Sequence, residues 1–594
     1  MSLTFYGAFS ALFYTIVLGA IWPTRGDMEL SAALLDLIAK SLWMSWLVVV
    51  ASFFLGLPNA IKPLCLVVAA AICVQIFLGP RVAMESHAVP FGVLVALGLS
   101  TFLFFGGFGS DYRLVFVTGD AVVSWNRWAV ELSDNLYNPS RAAYPMLFPG
   151  VWSLIYKAQQ SASVWIFAKL TLFLLVLILT LLVCWLYNCG LIVCAAALTA
   201  FAASFFVYKH AFPLVNGDMD MPLSVMCLAA CVSMLIALDH LERHAPEAQN
   251  SVILAVLFTS LAAITKQPGV ALLLPLFVLL GFCAWTKAIS YKGTALCVCL
   301  ALLPLVTFLA MYLTRRTDPL GNLESLRHLS QTIAKERTTV EMAAEHLMNA
   351  VPAWALIAVL GCALLNLVNV RRMSNQIGLL LLVLSIFGFF QYAKCCSYDG
   401  RNVWWVVTFL FGSALFGLKT LDTFRVSQRA TRYWPAASLR GTVLAASVLL
   451  GLAVRDRISE STISEAQVRA QLGVLGRILG PMFNASFLPI QTRNDLLISE
   501  LGIVKWTPGL ISSFLVCEST EYECFAQAAM NYPEARIFVL IERGVLEYPV
   551  IAHLLTGDRL IARAQAFELH GPFLATELSD VGRRQSDYRG DGRK

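Results

Sequence analysis

The side chains able to do chemistry in this 594-residue chain gather in polar patches that interrupt long apolar runs. They are the loop around Asp120, the run Asn216-Gly217-Asp218-Met219-Asp220, the break Thr265-Lys266-Gln267-Pro268, the charged stretch 314–349, the turn Tyr398-Asp399-Gly400-Arg401, and everything after about residue 456. Lys266 stands inside an apolar run, where a charged side chain costs about 2.5–3.5 kcal/mol on insertion and is normally functional. Its ordinary alternative is a lysine snorkelling to the surface from a short helix. Arg401 begins an apolar run and is placed to ligate a phosphate, or simply to pair with Asp399 at a surface. Asp218 and Asp220, at i and i+2 before Pro222-Leu223, can hold a divalent cation, steer a hydroxyl, or open a helix. Lys209 and His210 lie nearby, but no second His or Cys stands at ligand spacing from His210, so the sequence specifies no metal and leaves a divalent cation open.

The elements that position these residues must be membrane helices. A chain that is 58% hydrophobic and 13% charged, with a mean hydropathy of +0.72, is a polytopic membrane protein. About fourteen stretches approach the roughly 20 apolar residues that cross a bilayer. They fall at 3–22, 31–56, 63–79, 89–107, 163–186, 189–208, 221–238, 251–264, 268–285, 293–313, 350–369, 376–393, 402–418 and 440–455. The stretch 251–264 is short, ends at Thr265-Lys266 and is restarted by Pro268, which predicts a hairpin whose tip lies below the membrane surface. Basic residues favour cytoplasmic loops, and Lys419, Arg425, Arg429, Arg432 and Arg440, with Arg371 and Arg372, set the orientation. Counting back from them puts loop 239–250 inside and all six polar patches on the other face.

Beyond residue 456 the pattern becomes that of a soluble α/β region, with helices over 459–480 and 521–531, a buried strand over 536–541 and two further strands within 558–578. The expected organisation is 1–88 as additional N-terminal spans, 89–455 as the catalytic membrane domain with its outer loop at 108–162, 456–579 as an extracytoplasmic α/β domain, and 580–594 as a disordered basic tail. Most of the 15 cysteines sit in apolar spans, and Cys517 and Cys524 are as compatible with free thiols as with a disulfide. The net charge of +6 is accounted for by cytoplasmic loops and the tail, so no nucleic-acid partner is implied. No glycine-rich loop precedes a soluble helix with the Lys and Ser or Thr that cradle a nucleotide phosphate, which argues against a cytosolic nucleotide as energy source or donor.

The first outer loop is the richest segment. Asp120 opens a helix whose apolar face is Val122, Val123, Trp125, Trp128, Ala129 and Leu132, read as interfacial with its tryptophans at headgroup depth. On local grounds Asp120 merely caps it. Tyr144-Pro145-Met146-Leu147-Phe148-Pro149 follows. The order of an acidic residue in a long first outer loop, Tyr-Pro-x-x-Phe-Pro, Asp-x-Pro-Leu at the start of a later span, Thr-Lys with glycine and proline in a broken span, and Gly-Arg heading a late span resembles the C-type (GT-C) glycosyltransferases. Within them it is similar to the bacterial branch of dolichyl-phosphate-mannose-like and lipid A sugar transferases. The resemblance covers about residues 89–420. The chain departs from it in its extra N-terminal spans and in carrying one acidic residue at Gly119-Asp120-Ala121 where relatives often carry two.

That resemblance implies an inverting transfer of a hexose or pentose from a polyprenyl-phosphate donor to a glycolipid, glycan or protein acceptor. It would take place on the outer face of a bacterial inner membrane, facing the periplasm or exterior. Asp120 would be the general base, Lys266 and Arg401 the donor phosphate ligands, and Asp218, Asp220, Tyr144, Lys209, His210 and Tyr398 substrate contacts. The stretch holding Arg327, Lys335, Glu336, Arg337, Glu341 and Glu345 reads as a helical cover over the cavity, or as an exposed amphipathic face. Two rivals remain from the sequence: a transporter or flippase of lipid-linked or small polar substrates, and a ligase or polymerase of lipid-linked glycans.

Overall fold

The computed structural model describes residues 10–21, 29–55, 125–133, 145–159, 166–207, 217, 219–314, 339–351, 353–395 and 403–425, with strands over 486–490, 536–542, 560–563 and 567–574. Among the described residues, seven helices are long and apolar enough to cross a membrane, as befits an integral membrane protein. The expected spans over 63–79, 89–107 and 440–455, and the helices over 459–480 and 521–531, lie outside the described residues.

A π-helical segment, Phe13–Val17, and a 3-10 turn, Leu18–Ile21, run antiparallel to α1 (Leu30–Leu55). Hydrogen bonds from Ser45 to the Tyr14 carbonyl and from Ser41 to the Ile16 carbonyl join them. The bundle continues with α2 (Arg127–Ser133), α3 (Leu147–Gln159), α4 (Ile166–Leu170), α5 (Phe173–Asn188), α6 (Ile192–Val207), α7 (Asp220–Glu242) and α8 (Ala248–Ala263). After a 3-10 segment, Gln267–Leu272, come α9 (Leu273–Trp285), α10 (Tyr291–Thr314), α11 (Thr339–Ala350), α12 (Ala353–Leu364), α13 (Met373–Cys395) and α14 (Trp404–Arg425).

Apolar on every side, α7 is the central helix, because a helix without a polar face is stable only when it is surrounded. Its neighbours include α5, α8 and α14. Direction follows from the polar contacts. Lys419, near the end of α14, reaches Asp239 and Glu242 near the end of α7, so the two helices run parallel and begin at the same end of the bundle. The ring of His240 bonds Ser251 at the other extreme of α8, making α7 and α8 antiparallel. Ser385 and Ser413 bond the Val406 and Gly378 carbonyls across α13 and α14, antiparallel likewise.

Two tryptophans of α1 staple it to α10. Pro304 lies inside α10 and has no N–H, which leaves the Leu300 carbonyl without its helical donor. The indole of Trp43 donates to that carbonyl at 3.3 Å, and the indole of Trp46 donates to the Pro304 carbonyl at 3.2 Å and to Thr307 Oγ1 at 3.0 Å. α1 also packs on α3, α5 and α8, placing it inside the bundle. Within it Asp36 and Lys40, one turn apart and both buried, form an ion pair of 2.5 Å.

The C-terminal strands β1 (Ser486–Ile490), β2 (Arg536–Glu542), β3 (Leu560–Arg563) and β4 (Phe567–Leu574) form one sheet in the order β1-β2-β4-β3. β1 and β2 are parallel and the other pairs antiparallel. β2 lies where the apolar run 536–541 predicts a strand, and β3 and β4 fall within 558–578; β1, which contains Pro489, carries no comparable apolar signal.

Candidate functional site

The site is built on a break. α8 ends at Ala263 after 16 residues, close to the short span read from 251–264. Lys266 then adopts an extended backbone (φ −158°, ψ 154°), and Gln267-Pro268 opens the 3-10 segment with proline in its first turn, where the missing N–H costs nothing. Gly269 makes the tight return possible. A Cβ at that position would lie 2.0 Å from the Ala262 carbonyl oxygen, so no larger residue fits without moving backbone.

Two other elements converge on this break. The Leu147 N–H, at the start of α3, donates to the Ile264 carbonyl at 2.9 Å, so the Tyr-Pro-x-x-Phe-Pro element is anchored where α8 stops. One turn further along α3, Gly150 lies against Val49 and Trp46 of α1, and Lys157 bonds Ser52. α1 runs about two turns past Val49, so the break lies within the bundle rather than at its rim. The third element is α7. Gly217 takes φ +99°, a left-handed turn suited to glycine, and Asp220 then opens the helix.

At this junction Lys266 Nζ lies 2.6 Å from Asp220 Oδ1. Lys266 is 8% exposed and Asp220 4%, so the ammonium is held inside the protein and does not snorkel to the surface. The carboxylate sits in the first turn of α7, where the helix dipole favours negative charge. An ammonium and a carboxylate both taken out of water need each other. Removing one partner of such a pair typically costs about 3–5 kcal/mol.

Of the residues expected at the site, Lys266 and Asp220 are brought together. Asp120, Asp218, Tyr144, Lys209, His210, Tyr398 and Arg401 lie outside the described residues. Asp220, read as a cation ligand, a contact to a hydroxyl or the opening of a helix, does open α7, and its carboxylate meets the Lys266 ammonium. Among the described residues there is no group of three or more His, Cys, Asp or Glu able to hold a metal ion.

The helix that follows Asp120 differs from its sequence reading. Trp125 and Trp128 are buried, α2 packs on α3, and Tyr156 donates to Asn126 Oδ1 at 2.5 Å. The apolar face therefore meets protein and not headgroups. An amphipathic pattern specifies an apolar partner without saying whether it is lipid or helix. Of the expected cover, α11 is described. It packs through Ala343 on Tyr392, Val403 and Val406, with His346 bonding the Tyr392 hydroxyl at 2.9 Å, and meets α12 at a bend of 100°.

Sequence reasoning missed a second polar cluster, at the opposite end of α7. Asp239 is bound by Arg243 at 3.0 Å and Lys419 at 3.5 Å, and Lys419 also reaches Glu242 at 3.1 Å. His240 bonds Ser251 at 3.0 Å and lies 3.7 Å from Cys189 Sγ. In the turn between α5 and α6, the Cys189 thiol is pushed up to about 12, first by burial and then by the carboxylates Glu29 and Asp239, with Arg243 opposing them and Glu247 adding least. It also missed the Asp36–Lys40 pair, although the i, i+4 spacing inside an apolar run is a readable signal.

Fold and site together define an integral membrane helical bundle with a buried lysine–aspartate pair at a broken span. No family model and no curated protein matches the chain. It is similar to the crystal structure of ArnT from Cupriavidus metallidurans in the apo state, with 13% identity over 83% of this chain and 99% of that one and a TM-score of 0.49. The structure of the same protein bound to undecaprenyl phosphate gives 12% identity, 82% and 99% coverage and a TM-score of 0.47. At those identities and scores the likeness assigns no activity to this chain.

Proposed function

We propose that this protein is an inverting glycosyltransferase of the C-type kind, moving a sugar from a polyprenyl-phosphate donor to a lipid, glycan or protein acceptor at the non-cytoplasmic face of the membrane. The observation that carries the reading is the buried Lys266–Asp220 pair at a backbone discontinuity where the starts of α3 and α7 meet the end of α8. A structural ion pair does not require a helix to be interrupted around it. An interrupted helix suits a site for an anionic headgroup, because non-helical backbone at membrane depth is tolerated only against protein or a water-filled cavity and a charge there is normally functional.

In the proposed reaction the acceptor hydroxyl attacks the anomeric carbon, the carbon–oxygen bond to phosphate breaks on the opposite face, and the hydroxyl proton passes to the Asp120 carboxylate. The lipid phosphate departs with the bonding pair, its charge met by Lys266 and Arg401. Two features support placing Arg401 with Lys266: α14 runs parallel to α7, and it starts three residues after Arg401. Asp218, Tyr144, Lys209, His210 and Tyr398 are the proposed sugar and acceptor contacts, with 456–579 as the domain above them.

Purified protein in detergent, given labelled polyprenyl-phosphate sugar and acceptor, tests the proposal. Wild type should release free lipid phosphate, and Asp120→Asn should retain its thermal midpoint while losing turnover. Full turnover in that variant removes Asp120 as base. Saturable uptake into liposomes without any lipid phosphate release replaces the transferase reading with transport.

A further inference from the structure

The pairing of Lys266 with Asp220 poses a difficulty for any anion that must bind there. The ammonium is already neutralised at 2.6 Å by a carboxylate as buried as itself. A phosphate entering the break therefore meets a pair of no net charge, and gains the full strength of Lys266 only by displacing Asp220. We propose that Asp220 is a displaceable counter-ion, which gives up Lys266 to the phosphate as that phosphate gains charge. This rests on the transferase reading and assigns Asp220 a positioning role, acting through Lys266 rather than by touching sugar.

The chemistry makes the exchange directional. In a sugar–phosphate–lipid donor the phosphate is a diester with one negative charge. Once the carbon–oxygen bond breaks it becomes a monoester carrying about −1.5 to −2 near neutral pH. Asp220, with a single charge, competes evenly with the donor and poorly with the leaving group. Lys266 therefore binds the substrate weakly and the transition state strongly, which is the differential binding that lowers a barrier. When the product leaves, Asp220 recovers the ammonium, so departure exposes no unpaired buried charge.

The test uses the full chain in detergent and compares wild type with Asp220→Asn and Asp220→Glu. The probes are a long-chain polyprenyl phosphate, the uncharged polyprenol and inorganic phosphate. Without ligand, Asp220→Asn should unfold at lower temperature than wild type. Polyprenyl phosphate should raise its midpoint by more than it raises that of wild type and should bind about tenfold more tightly. In turnover the same variant should show a lowered KM, a lowered kcat and stronger inhibition by polyprenyl phosphate, while Asp220→Glu stays near wild type. A merely structural aspartate would weaken binding and KM instead. Asp220→Ser carries the same expectation should the asparagine variant fail to fold.

Tightening with inorganic phosphate alone supports the counter-ion and makes free phosphate the ligand. Equal tightening with polyprenol overturns it, because no charge is then involved. Equal or weaker phosphate binding by Asp220→Asn overturns this inference alone; no binding by any form overturns it together with the transferase reading.

Discussion

The two ends of α7 solve the same electrostatic problem differently. At one end Asp239 and Glu242 are met by Lys419 and Arg243, with His240, Ser251 and Cys189 completing a cluster that joins α7, α8, α14 and the turn after α5. At the other, Asp220 meets Lys266 where the backbone is interrupted and a glycine is forced against the Ala262 carbonyl. Both contain a buried lysine–aspartate pair, yet one ties helix ends together and the other sits where the backbone breaks. Burial of an ion pair therefore says little about its purpose; the backbone around it says more. A latch is expected to cost stability alone when cut, and a site to cost turnover beyond its cost in stability.

The largest effect should come from Lys266→Ala, with a loss of about a hundredfold or more in kcat/KM for the lipid-linked donor, the scale of removing one transition-state charge ligand. Steady-state kinetics at saturating acceptor measures it. Lys419→Ala is the counterpart at the latch. It should lower the thermal midpoint sharply, for a buried pair cut on one side is worth about 3–5 kcal/mol, while folded molecules keep near-normal turnover. If both variants lose activity in proportion to stability, the distinction between the two ends collapses.

Gly269→Ala sharpens the comparison from the backbone side. The added methyl meets the Ala262 carbonyl, so the break must shift, and turnover should fall at least tenfold with Lys266 still present. Trp43→Phe should cost about 1–3 kcal/mol by leaving the Leu300 carbonyl unpaired, measured as a lowered midpoint with unchanged KM. The smallest effect is at Cys189. Because its thiol is pushed up to about 12, alkylation at pH 8 should be far slower than for a free cysteine and should quicken as pH rises toward that value. Glu247→Gln removes one of the charges that raise it and should accelerate the reaction modestly.

Much of this is legible in the sequence. The boundaries of α1 and α8 follow the apolar stretches 31–56 and 251–264 within a few residues, since a span must satisfy its backbone internally and announces its length. Lys266 was legible for the same reason, as a charge that a membrane helix does not tolerate idly. Its partner was not. Asp220 lies 46 residues away, and nothing in the local sequence says whether such a carboxylate faces a cation, a metal or water. The bonds from Trp43 and Trp46 to the neighbourhood of Pro304 span more than 250 residues and are equally silent. Trp125 and Trp128 misled because lipid and protein reward the same apolar stripe.

The most direct measurement is an equilibrium titration of labelled polyprenyl phosphate against wild type, Lys266→Ala and Lys419→Ala at matched temperature below all three midpoints. Wild type and Lys419→Ala should bind alike, and Lys266→Ala about tenfold or more weakly. Equal affinity in Lys266→Ala and wild type would contradict the assignment of the broken span as the place where the lipid phosphate is held.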